Sequence, residues 1–278
     1  MAVVIETASP ARTAPRAVLP RRRPGSRRSL LAALQLTTVA VLLGAWELGA
    51  RSGAVNTFLF SSPSMVLESL SRRAASGDLL IDVRTTLTEV VLGFLVGAVG
   101  GSVLGLALWY SRFVADYTAP FIAAIGAIPV LAVAPMTIIW FGTGLTSKIV
   151  IVAFSCVVVS LTNSYRGAQR ADRDQIDLMR SFGASNGQIF AKVVAPGAMP
   201  WVVSGLKLNV GFAVVGAIVG EYISSDAGVG HMILLGSSNF TVSLVLAGLV
   251  VVMAIVLVLS FLMNLLERFL LSWERTTS

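Results

Sequence analysis

The sequence predicts an all-α integral membrane protein with six transmembrane helices and both termini in the cytoplasm. Three observations carry this. Hydrophobic residues make up 55% of the 278-residue chain and charged residues only 13%, too few charges to coat a soluble surface of that size. The apolar residues gather into segments long enough to cross a bilayer. Lys and Arg are divided unequally among the segments that join them.

Residues 1–29 are rich in Arg, Pro and Ala and hold seven of the 21 Lys and Arg residues. They read as a disordered cytoplasmic tail. A basic tail can bind nucleic acid, and Ser26-Arg27-Arg28-Ser29-Leu30-Leu31 resembles a twin-arginine export signal. This tail, however, runs straight into apolar sequence, and further apolar segments follow. It therefore reads as a positive-inside anchor held in membrane lipid, with no nucleic-acid partner expected. The first span is expected over 30–50, with Glu47 its sole charge. Residues 51–84 are mixed in polarity and form a periplasmic segment. There Ser61-Ser62-Pro63-Ser64 has the signature of a helix start, and 65–73 suits a short interfacial helix. A core over 85–266 follows, with spans expected over 86–110, 119–141, 148–165, 201–222 and 242–264. Residues 267–278 form a second cytoplasmic tail. Between the fourth and fifth spans, 166–192 holds eight charged residues in 27 positions and leaves the membrane. With the N-terminus inside, the inner segments carry 15 Lys and Arg and the outer ones five, which sets the orientation.

Within the spans, Gly93, Gly97, Gly101 and Gly105 lie on one helix face and permit close helix packing. Pro129 and Pro135 interrupt the third span, and such broken helices line transport pathways or form static kinks. Lys207 and Asn209 lie within the fifth apolar segment, where Lys207 can snorkel to the interface or face a pathway. Glu221 ends that span and Glu89 opens the second, on the same outer side. His231 reads as a loop residue. One Cys and one His exclude an intrachain disulfide and leave little room for metal or acid–base chemistry. No phosphate loop, nucleophile elbow or zincin motif is present, so no hydrolytic or covalent chemistry is indicated for this chain.

The charged loop reads as two short helices about a turn at Gly183-Ala184-Ser185. The first spans Gln175–Phe182. The second is capped by Ser185 over Gln188 and is ended by Pro196. Ile189, Phe190 and Val193 make an apolar stripe, to be buried by a partner or by the chain's own bundle.

This loop resembles the signature loop of binding-protein-dependent ABC importer permeases, E-A-A, three residues, Gly, nine residues, I-x-L-P. Asp177, Leu178 and Met179 stand at E-A-A, Gly183 at Gly, Val193 at Ile, Ala195 at Leu and Pro196 at Pro. Ile128-Pro129, Ala134-Pro135-Met136-Thr137-Ile138-Ile139-Trp140-Phe141-Gly142 and Gly220–Gly230 are similar to the nitrate, sulfonate and taurine type of these permeases. The resemblance implies a type I permease fold, usually paired with a second copy. It implies two ATPase subunits that bind ATP and Mg below, and a periplasmic or lipid-anchored substrate-binding protein above. This chain itself would bind no cofactor or metal. The loop within 166–200 would then be the ATPase-coupling element, through Asp177, Arg180, Gly183, Ala184, Ser185, Gln188, Ile189, Val193 and Pro196. Glu89, Pro129, Pro135, Trp140, Lys207, Asn209 and Glu221 would be candidates for the translocation pathway of a small anion or polar solute. The alternative is a secondary transporter or channel driven without ATP, for which Lys207 is the sole coupling charge within a span.

Overall fold

A computed structural model describes residues 24–271, and helices joined by turns and short loops account for all of them. The helices are α1 (Pro24–Arg51), α2 (Thr57–Phe60), α3 (Pro63–Ser76), α4 (Asp78–Tyr110), α5 (Arg112–Gly126), α6 (Val130–Phe141), α7 (Leu145–Gln169), α8 (Arg173–Ser181), α9 (Asn186–Ile223), α10 (Val229–Ser238) and α11 (Val242–Leu270). Five of them are long and apolar enough to cross a membrane: α1 (over Leu30–Arg51), α4, α7, α9 and α11. Counted as one span, the bent pair α5 and α6 brings the number to six. Most of the expected basic tail, 1–23, and the last seven residues lie outside the described part.

Helix α7 is the centre of the bundle, flanked by α4 and α9. Association in lipid gains little from hydrophobicity and depends on close contact. The glycine face of α4 supplies that contact. A Cβ at Gly93 would strike Val152, at Gly97 the backbone of Ala153, at Gly101 the Val157 carbonyl, and at Gly105 the Leu161 carbonyl. Both residue numbers rise together, so α4 and α7 run parallel. Gly205 meets Asn163 and Gly220 meets Lys148, so α9 runs antiparallel to α7. Helix α1 stands apart, with residues 30–43 exposed along its length.

Several boundaries differ from the expectation. Helix α4 begins at Asp78, not 86, because Arg73 pairs with Asp82 at 2.8 Å and lets an acid enter the helix. Glu89 thus lies well inside the span instead of opening it. The third span is two helices bent by 92°, with Pro129 extended at the break (φ −63°, ψ 130°). Proline removes an N–H and disfavours a helical residue before it, which accounts for the break. Pro196 does not end a helix. It follows a π-helical turn, Phe190–Val194, where the hydrogen-bond ladder widens and then resumes in α9. His231 lies in α10, not in a loop. The short helix expected over 65–73 is present as α3, with Ser62 accepting from the Met65 N–H and Pro63 in the first turn.

Candidate functional site

Two side-chain clusters stand at opposite ends of the bundle. The first is the charged elbow after α7. Asp172 caps α8 by accepting from the N–H groups of Asp174 and Gln175. At its far end Gly183 adopts φ +76°. Its N–H donates to Arg180 O at 2.9 Å, while Ala184 N–H donates to Met179 O at 3.0 Å. This pairing is a Schellman stop, and its left-handed residue favours glycine. Ser185 and Gln188 then form the reciprocal capping box that starts α9.

The apolar stripe of the elbow faces inward. Ile189 is fully buried with Ala168, Ala171, Val194 and Ala198, and Phe190 packs on Trp109 and Tyr110. The bundle itself therefore covers this stripe. Val193 is partly covered and Pro196 is exposed. Leu178 and Phe182 are the large apolar side chains that α8 and its turn leave in the open. Asp177 and Arg180 form an exposed pair at 3.4 Å. Arg170 lies over the Trp201 ring at 4.2 Å and ties the start of the elbow to α9.

The second cluster closes the other end. Glu221 is fully buried. It accepts from the Thr86 hydroxyl at 2.5 Å and from the Gly230 N–H at 2.6 Å. The Thr86 hydroxyl oxygen in turn accepts from Val229 N–H, and Asp82 accepts from Gly228 N–H, both at 3.0 Å. The Gly228 backbone (φ +119°) lies so close that a Cβ would strike the Glu221 carboxylate. Glu89 sits beside Glu221, near the Lys148 ammonium, and its Oε2 is buried without a partner. Lys148 donates to Thr143 O at 2.8 Å. Helix α4, the end of α9 and the loop at 228–230 are thus fastened around three buried acids, Asp82, Glu89 and Glu221.

The remaining pathway candidates fall elsewhere. Pro129, Pro135 and Trp140 are exposed on the bent third span. Asn209 is buried between α7 and α9, donating to Ser160 Oγ at 2.5 Å, and its own Oδ1 has no partner. Lys207 pairs with Glu267 of α11 at 2.8 Å, each about one-third exposed. Lys207→Met is expected to lower stability by about 1 kcal/mol or less and to leave uptake intact. A folded variant without uptake would place Lys207 in the pathway.

Sequence reasoning missed Asp82, Thr86, Lys148, Gly228 and Gly230 as parts of a site. A signal was present: Asp82, Thr86 and Glu89 continue the glycine face of α4 at helical spacing. Lys148 stands in the first turn of α7, as its place at the start of the expected span implies, and its side chain is almost fully buried.

Residues 90–272 match the family described as binding-protein-dependent transport system inner membrane component. The chain belongs to that family. This permease is 34% identical to a probable ABC transporter permease protein of Haemophilus influenzae, over 85% of its own length and 96% of the relative's. It is 33% identical to the riboflavin transport system permease protein RibX of Chloroflexus aurantiacus, covering 85% and 88% of the two chains. It is 28% identical to the taurine transport system permease protein TauC of Escherichia coli, covering 87% and 90%. Among solved structures, the MetNI methionine ABC transporter in an inward facing conformation superposes with a TM-score of 0.63 at 20% identity, over 71% of this chain and 98% of that one. That likeness shows the fold. The chain is the transmembrane permease subunit of a binding-protein-dependent ABC importer.

Proposed function

We propose that this permease carries a small anion or polar organic solute of the nitrate, sulfonate or taurine kind across a bacterial inner membrane. Relatives named for taurine and aliphatic sulfonates support the class. Two copies form the pathway, and two ATPase subunits carrying ATP and Mg dock at the elbow end. A substrate-binding protein delivers cargo at the acid-cluster end. The termini and the elbow face the cytoplasm. The observation that carries this reading is the elbow itself: a stiffly capped turn whose inner face is anchored in the bundle while α8 projects. Such a part passes a push from outside into α9 instead of absorbing it, which is what a switch between two rigid packings requires. Residue 177 is Asp where the family pattern has Glu, and its exposed pair with Arg180 leaves both side chains open to a partner.

The test is Gly183→Asp. Asp tolerates the left-handed conformation at a cost of about 1 kcal/mol, and a Cβ there meets nothing within 4 Å. The variant should insert and assemble, yet lose ATP-driven uptake in proteoliposomes containing the ATPase and binding protein. Normal uptake and ATPase stimulation would remove the elbow from coupling. Uptake that persists without ATP and collapses with an uncoupler would establish the secondary-transporter alternative instead. A second substrate reading, a flat heteroaromatic solute, is favoured by the 33% identity to a riboflavin permease. Competition of labelled taurine uptake by riboflavin or by an alkyl sulfonate separates the two.

A further inference from the structure

Next to the elbow lies a cleft of about 690 Å³, walled by the end of α4, the start of α5, the end of α7 and the inner side of α8. Its charge is one-sided. Arg112, Arg173 and Arg180 line it, against the single acid Asp177. Arg180 shares that acid at 3.4 Å, whereas Arg112 and Arg173 have no carboxylate within 4.0 Å among the described residues. Tyr110 and Tyr165 add hydroxyls to the wall. A cleft with two uncompensated guanidinium groups suits a doubly hydrogen-bonding anion, phosphate above all.

The surroundings choose the form of that phosphate. The cleft stands at the depth where spans α4 and α7 end, flanked by Trp109 and Tyr110, residue types that settle at the headgroup level of a membrane. From Arg112, helix α5 re-enters the membrane with Phe113, Tyr117 and Phe121 on one exposed face. Their rings follow one another at 6.3 and 5.7 Å. A free anion has no use for this stripe, but an acyl chain does. We propose that the cleft binds the headgroup of an anionic phospholipid whose acyl chain lies along the aromatic face of α5. Two of the three arginines, Arg173 and Arg180, are carried by α8, so the bound lipid braces the elbow against the bundle. Basic pockets between helices on the cytoplasmic side recognise headgroups through this chemistry. The proposed effect on coupling rests on the elbow's assignment above; the binding itself does not.

The experiment takes the assembled transporter in nanodiscs of phosphatidylcholine mixed with phosphatidylglycerol and weighs the lipids retained after gentle release by native mass spectrometry. Wild type should retain phosphatidylglycerol selectively. Arg112→Gln combined with Arg173→Gln should reduce its retention roughly thirtyfold, from about a kilocalorie per arginine, and Arg112→Lys should restore much of it. Phe113→Ser with Tyr117→Ser should shorten retention without changing headgroup preference. Equal retention of both lipids, or equal retention by wild type and the arginine double variant, overturns the proposal. So does displacement of nothing by lipid but Arg-dependent binding of inorganic phosphate, which would make the ligand a soluble anion. Because no ATP or transport enters the readout, a failed retention assay is distinguishable from a failed coupling assignment. Folding of each variant is verified by co-elution with its ATPase.

Discussion

Gly97→Leu is expected to abolish the folded permease, whereas Gly100→Leu leaves it folded. Both glycines have helical backbone in the same span, Gly97 in a π-helical turn (Leu95–Val99) and Gly100 at the start of the α-helical stretch after it, and helix preference opposes leucine at neither. They differ in what lies beside them. A Cβ at Gly97 meets the Ala153 backbone of α7, while one at Gly100 meets nothing within 4 Å. Backbone cannot rotate aside as a side chain can, so the helices must separate along the seam that holds the bundle together. The cost exceeds about 3 kcal/mol, a large part of the stability of a typical domain. Gly93→Leu is expected to be similarly damaging, because its Cβ would meet the Val152 Cβ, which no rotamer moves, and the Ile149 carbonyl. The checks are the yield of monodisperse protein and its melting temperature in detergent. A Gly97→Leu protein that melts like Gly100→Leu would show that α4 and α7 are not in this contact.

Glu221→Ala is the second large effect. It removes the acceptor of the Thr86 hydroxyl and the Gly230 N–H and leaves that buried N–H unpaired. Breaking one partner of a buried charged network costs about 3–5 kcal/mol. The expected result is a loop 224–230 that exchanges amide hydrogen quickly and is cut by protease, even where the helices survive. Glu89→Gln should behave in the opposite way. Its Oε2 is buried without a partner beside a second acid, and the amide removes that like charge while keeping the shape. Protection at Gly230 that is unchanged in Glu221→Ala, or lost in Glu89→Gln, would refute this arrangement of donors.

What could be read from the sequence was local. The elbow was legible because Gly183, Ser185 and Gln188 act on backbone within a few residues of themselves. The break in the third span was legible because Pro129 carries its constraint with it. The glycine face of α4 was legible as a face, although not its partner. The acid cluster was hidden. Thr86 and Glu221 are 135 positions apart, and a hydropathy reading stops a span at a charge without knowing that Arg73 waits to neutralise Asp82. For the same reason Glu89 is expected at a span end when it lies about three turns inside α4, and the burial of Lys148 in the first turn of α7 is not foreseen. The inward turn of Ile189 was one of two open outcomes, since an apolar stripe states that it will be covered and not by what.

Helix α9 runs over 38 residues, Asn186–Ile223, from just after the Ser185 cap past Glu221, with one π-helical turn at Phe190–Val194. At 1.5 Å per residue that is roughly 57 Å, nearly twice the oily thickness of a bilayer. Tilted about its contact with α7, a helix of this reach would link displacements at its two ends. A tilt imposed at one end would then be felt at the other, at the loop whose N–H groups Asp82 and Glu221 hold.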